Sequence, residues 1–233
     1  MLRLVLGLLV CQCIGSLLLL LVRGGVDPKA TPGTGRIILS ALCFQGITLA
    51  LVWRFLHEHQ VGWLTGFGFR RDLPKAIGLG AVIVGIFLPI GGVLKNVSLH
   101  VMEKLGIEPS VQLALQALKN SGSTVELVAL GIITIILAPV AEETLFRGVL
   151  YPTIKQHGYP RAALWGTSVL FALIHFNVAI FVPLLLLALL LVWLYEKTDN
   201  LLAPIAAHAT FNAVNFVMFF LTKDVAHKLP AQP

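Results

Sequence analysis

Residues 178–195 read VAIFVPLLLLALLLVWLY and contain no charged side chain. A stretch of this length and character is close to the roughly 20 apolar residues that cross a bilayer as a helix. The chain repeats the pattern, with further apolar runs at about 4–22, 37–56, 76–94, 125–140, 162–176 and 201–221. No soluble surface can be built around so many of them. Hydrophobic residues make up 57% of the 233 positions and charged residues 12%, against about 25% charged in an ordinary soluble domain. Lipid offers no partner to an exposed backbone N–H or C=O, so each run must satisfy its own backbone as helix. The expected fold class is therefore all-α: a polytopic transmembrane helix bundle of about seven to eight spans, with a polar cavity inside the C-terminal core helices.

The connections divide the chain into three regions of one integrated membrane domain. Residues 1–119 hold N-terminal transmembrane helices and an amphipathic segment, EPSVQLALQALKNSG, whose Val111, Leu115 and Leu118 share a helical face. That segment is expected to lie at the membrane interface. Gly78, Gly80, Gly85, Gly91 and Gly92 in the third run suit close helix packing. Residues 120–222 form a C-terminal core, and 223–233 a polar tail. The net charge is +6, but the Lys and Arg lie between apolar runs without a basic stripe. Topology signals and anionic headgroups account for them, and nucleic acid is not an expected partner. With seven spans, Lys and Arg divide equally between the two sides, which leaves the orientation open. Cys11, Cys13 and Cys43 all lie in apolar runs and read as packing residues.

Ionisable groups inside spans cost about 2.5–3.5 kcal/mol each on insertion scales and default to a functional reading. Three clusters qualify. Glu142, Glu143 and Arg147 follow an uncharged run at 127–141. Glu143 and Arg147 are four apart with the acid first, the favourable order for a helical ion pair. Glu142 points about 100° away and is left to face elsewhere. The second cluster is FALIH, 171–175, with Phe171 one turn below His175. The third is HATFN, 208–212, which puts His208 and Asn212 on one face. Each group alone reads equally well as a packed polar residue or an interhelical clamp. Together, the cheapest arrangement gathers Glu142, His175, His208 and Asn212 in one wet cavity.

A carboxylate beside an imidazole can take a proton from water and make it nucleophilic. A second imidazole and an amide can donate to the oxyanion that forms on an attacked carbonyl. These are the parts for hydrolysing an amide by direct water attack. Ser168 and Thr210 lie near the clusters but have no triad-like partner legible in the sequence.

EETLFRG, FALIH and HATFN, in that order on successive spans, resemble the three motifs of the CPBP family of intramembrane proteases. That family includes the type 2 CAAX prenyl endopeptidases and bacterial proteins linked to bacteriocin processing and immunity. The resemblance covers about 120–222. It implies a peptidase in which Glu142, paired with His175, activates water while His208 and Asn212 stabilise the oxyanion. Glu143 and Arg147 would support the motif, and Phe171 and Phe211 would orient the imidazoles. The family is often called a metalloprotease, and Glu142, His175 and His208 could supply three zinc ligands. No HExxH is present, and the expected mechanism is metal-free.

The expected partners are the bilayer and a membrane-associated peptide or protein, for which a prenylated C-terminus is one candidate. The expected location is the cell membrane of a prokaryote, as a multi-pass protein. Two other classes stay open at this point: a non-catalytic scaffold or bacteriocin-immunity factor, and a proton-coupled transporter, since buried Glu and His also relay protons.

Overall fold

The computed structural model describes residues 33–69, 72–108 and 113–228. The run at 4–22, expected as a first span, lies outside them. Among the described residues all regular structure is helical: α1 (Thr34–Glu58), the single turn α2 (Trp63–Gly66), α3 (Leu73–Lys104), the short α4 (Leu113–Asn120), a composite rod, α8 (Pro160–Leu173), α9 (Val178–Thr198) and α10 (Leu202–Lys228). The rod runs over Thr124–Gln156. It comprises α5 (Thr124–Ile132), a π-helical segment π1 (Ile133–Leu137), α6 (Ala138–Glu143), a second π segment π2 (Thr144–Leu150) and α7 (Tyr151–Gln156).

Five helices among the described residues are long and apolar enough to cross a membrane: Thr34–Glu58, Leu73–Lys104, Thr124–Gln156, Val178–Thr198 and Leu202–Leu221. The run at 162–176 also folds as helix, but α8 has only 14 residues, about 21 Å at 1.5 Å per residue against a hydrocarbon core of about 30 Å. Outward faces stay apolar over much of the spans. Val82, Ile86, Val93 and Val97 of α3 are all exposed, which is the arrangement lipid requires and water forbids. Cys43 is also exposed on α1, on the lipid-facing side rather than in the packing.

The third helix is longer than its apolar run. Lys95, Asn96, Ser98 and His100 continue the helix because nothing from 93 to 104 breaks it. The stop comes at Gly106, in the left-handed region at φ +67°. There Ile107 N–H donates to Met102 O (2.9 Å), closing the helix end as in a Schellman motif. Of the amphipathic segment EPSVQLALQALKNSG, the described helix is α4, which packs on α1: Thr34 Oγ1 donates to Ala117 O.

At the centre, α3 packs against α9 and α10, α9 against α8, and α10 against the rod. Of the five α3 glycines, only Gly80 admits another helix's backbone. A Cβ there would sit 2.9 Å from Ala203 O, whereas Gly78, Gly85 and Gly92 have nothing within 4 Å. Loops tie together at one end of the bundle. Leu201 N–H donates to Phe67 O (2.9 Å), and Gly68 has φ +67° with its notional Cβ 2.0 Å from Asp199 O. Gly68→Ala meets both the left-handed penalty, about 1–2 kcal/mol, and that backbone clash. We expect a lower midpoint in detergent unfolding and little of the variant in the monodisperse fraction.

Candidate active site

The rod's two π segments each end two residues before a proline, Pro139 and Pro152. A proline ring crowds the carbonyl four residues back and donates no hydrogen bond. Widening the turn moves that carbonyl away, and single π turns recur at functional sites. Proline alone does not impose the wide register, since Pro89 and Pro183 sit inside α helices. In π1 the register is fixed by Ala138 N–H donating to Ile133 O, five residues back. The next donor in that register would be residue 139, which is proline. Thr134 O is thereby left over, and Asn212 Nδ2 of α10 donates to it at 2.9 Å.

This bond makes Asn212 an interhelical clamp, one of the readings its spacing allowed, but the spacing did not reveal the partner. The signal was present in Pro139, five residues after Thr134, but it becomes readable only once the π register is known. Asn212→Ala orphans Thr134 O, at a cost of about 1–3 kcal/mol. In a Pro139→Ala background the restored N–H competes for that carbonyl, so the loss on adding Asn212→Ala should shrink. Unfolding midpoints of the four proteins in this cycle check the coupling.

Between the π segments, α6 presents both glutamates. Glu143 is fully buried and Arg147 nearly so, at 0% and 1% exposure. Arg147 Nη1 donates to Glu143 Oε1 (2.8 Å) and Nη2 to Ala188 O of α9 (3.0 Å). The expected i,i+4 ion pair is therefore formed. The same Glu143 Oε1 has a second partner that sequence spacing did not show: His208 Nδ1–H donates to it at 2.8 Å. A carboxylate only accepts, so the His208 proton sits on Nδ1 and Nε2 is turned outward. His208 Nε2 lies 4.0 Å from Glu142 Oε2. Glu142 is less buried than its neighbour, with a side chain 14% exposed, and its Oε2 has no hydrogen-bond partner.

Phe171 is the hub of the cluster. Its ring lies 4.7 Å from the Arg147 guanidinium carbon, 5.0 Å from the His175 ring and 5.6 Å from the His208 ring. An aromatic face toward a guanidinium is attractive and strengthens away from water. His175 stands just past the end of α8, with Nδ1–H donating to Phe171 O (2.7 Å), which again leaves Nε2 open. The expected Glu142–His175 pair is not formed; the imidazole beside Glu142 is His208. The reason is positional. Glu143 and Arg147 anchor α10 against α6 through His208, whereas His175 is bound to its own helix end. Phe211 packs against Phe87 of α3 (5.7 Å) rather than against either imidazole.

Among the described residues no group of three or more His, Cys, Asp or Glu is placed to hold a metal ion. Glu142, His175 and His208, which the sequence offered as zinc ligands, do not form such a group among the described residues.

Residues 124–214 match the type II CAAX prenyl endopeptidase Rce1-like family. The matched segment opens with the rod and closes just past Asn212, and so carries all three motifs. The chain is also similar to the UPF0177 protein YxdF of Lactococcus lactis subsp. lactis (strain IL1403), 32% identical over 78 residues, which are 33% of this chain and 42% of that protein. It is similar to the uncharacterized protein YpbD of Bacillus subtilis (strain 168), 37% identical over 83 residues, 34% of this chain and 40% of that protein. The chain thus spans about two fifths of the curated relatives it matches. No solved structure matches. The five long apolar helices make this an integral membrane protein, and residues 124–214 are the part of it that is similar to the Rce1-like family.

Proposed function

We propose that the protein is an intramembrane endopeptidase that cleaves a membrane-associated peptide with water activated at Glu142. The observation that carries the reading is the 4.0 Å gap between Glu142 Oε2 and His208 Nε2. Both atoms are acceptors when the imidazole is neutral, and a polar gap of this width invites a bridging water. A water about 2.8 Å from each atom would subtend an angle of about 90°, close to what its two O–H bonds can serve. Arg147 holds Glu143, Glu143 holds the His208 tautomer, and the tautomer leaves Nε2 free to accept.

The chemistry follows from charge. With Glu142, Glu143 and Arg147 ionised, the cluster is one proton short of neutrality. A proton taken from water as it attacks the carbonyl carbon brings the cluster to neutrality. It then passes to the departing amine as the tetrahedral adduct collapses. One N–H of the Asn212 amide is committed to Thr134 O, and the second is free to donate to the oxyanion. His175 Nε2 is a further donor when that ring is protonated. The substrate class follows the family resemblance: a peptide C-terminus held at the bilayer by a lipid such as a prenyl group. The two relatives are bacterial, which supports a bacterial cell membrane as the setting.

The test is cleavage of a quenched fluorescent peptide with a farnesylated C-terminal motif by protein reconstituted in liposomes. His208→Ala should remove more activity than His175→Ala, because only His208 stands beside Glu142. Exhaustive chelation, with metal content measured, should leave the rate unchanged. A rate lost on chelation and regained with zinc would replace the metal-free scheme. A wild type that cleaves no lipidated peptide would count against the reading itself.

A further inference from the structure

Gln45 of α1 lies outside the segment that matches the family, yet it is the only Gln or Asn on the buried stripe of its helix. That stripe reads Thr34, Gln45, Thr48, Val52 and Leu56. Gln45 is 6% exposed, and its Oε1 has no hydrogen-bond partner. A buried amide oxygen without a partner is costly anywhere and more so in a span, where no bulk water can repair it. Thr48 avoids the problem by bonding to Phe44 O in its own helix (2.8 Å); Gln45 does not.

The packing says what Gln45 faces. Helix α1 packs on π1, α6 and π2. Ile37 and Ile38 join the cluster of Leu130 and Leu127, while Val52 and Leu56 join that of Leu145, Phe146 and Val149. The two helices therefore run parallel, and the register puts Gln45 beside the end of π1, between the levels of Thr134 and Glu142. Thr134 is the residue that Asn212 holds, and Glu142 Oε2 is itself without a hydrogen-bond partner. Two unpartnered acceptors on helices in contact fit a single hydrated chamber better than two separate dry orphans.

We infer that Gln45 forms the α1 wall of the catalytic chamber and holds the main chain of an extended peptide there. A glutamine side chain offers one carbonyl acceptor and two amide donors, the same complement as a peptide unit, so it can pair with a substrate N–H and C=O as a strand edge would. This deepens the peptidase reading and rests on it for the identity of the occupant. It assigns Gln45 to binding rather than to proton transfer.

Two measurements judge it. The first needs no turnover. With Cys11→Ala and Cys13→Ala in place, Cys43 is the remaining thiol, on the lipid-facing side of α1 and about 200° from position 45. A second protein carries Gln45→Cys together with Cys43→Ala. A charged methanethiosulfonate reagent attacks thiolate in water and should modify position 45 at least about tenfold faster than Cys43. The farnesylated peptide should slow the modification at position 45. Equal, slow labelling at both positions would overturn the chamber placement. The second measurement is Gln45→Leu, which should raise KM about five- to tenfold with kcat within about twofold, the loss of one neutral hydrogen bond to substrate. An unchanged KM, or a fall confined to kcat, would overturn the binding role. A wild type that cleaved nothing would count against the peptidase reading, and the labelling would then judge the position of Gln45 by itself.

Discussion

Glu142→Gln should lower the single-turnover cleavage rate by about 10³-fold, in the middle of the range for loss of a general base, while the protein folds as well as the wild type or better. The two halves of that expectation have separate causes. The rate falls because an amide at position 142 donates where the carboxylate accepted, so the proton that leaves the attacking water has no base to receive it. The fold survives because Glu142 accepts no bond like the two that Glu143 Oε1 takes from Arg147 and His208: its Oε2 has no hydrogen-bond partner and its nearest ring nitrogen stands 4.0 Å away. Removing its charge from a span relieves a cost without breaking a contact. Glu143→Gln is the internal control. It disturbs the two 2.8 Å bonds from Arg147 and His208 and should lose stability and activity together. Cleavage rates measured beside unfolding midpoints separate the two variants. Equal behaviour of both in both assays would remove Glu142 from the base's role.

Much of the architecture was legible because lipid leaves the chain few options. Long uncharged runs had to be helices, and an acid four residues before an arginine had to pair with it or leave two charges unpartnered. What was not legible depended on through-space choices. Nothing in HATFN says that His208 would take Glu143, already held by Arg147, rather than the freer Glu142. That choice comes from the packing of α10 on α6 and leaves Nε2, not Nδ1, for chemistry. The π segments escaped because a wide turn has no composition of its own, and its trace in the sequence is two prolines that elsewhere in the chain leave α helices intact. The end of α3 escaped because polarity was read as a boundary. A helix ends where its backbone is interrupted, at Gly106, and not where its side chains become wet. Gln45 carried no motif, and it stands out only when a buried stripe is seen to contain an amide oxygen without a partner.

Arg147→Leu should have the largest effect on stability of any single change considered, a loss of about 3–5 kcal/mol. The side chain is 1% exposed and its partner Glu143 fully buried, so no water can solvate the carboxylate that remains. The same substitution strips Ala188 O of its donor and Phe171 of its cation 4.7 Å away. It thus loosens α9 and α8 from the rod as well. If the cost is mainly an orphaned charge, removing that charge should recover much of it, and Glu143→Leu/Arg147→Leu should be more stable than Arg147→Leu alone. Recovery should stop short of the wild type, because His208 Nδ1–H then loses its acceptor, which is worth about 1–3 kcal/mol when buried. Denaturation in mixed micelles followed by the fluorescence of the four tryptophans gives the cycle. A double variant no more stable than Arg147→Leu would mean that the arginine acts through packing and its bond to α9, not through the glutamate. Catalysis provides the second reading. The double variant keeps Glu142, but its His208 is no longer held in one tautomer, so it should be stable enough to purify and still cleave far more slowly than the wild type. That outcome would show the buried ion pair acting on the reaction through the imidazole it orients.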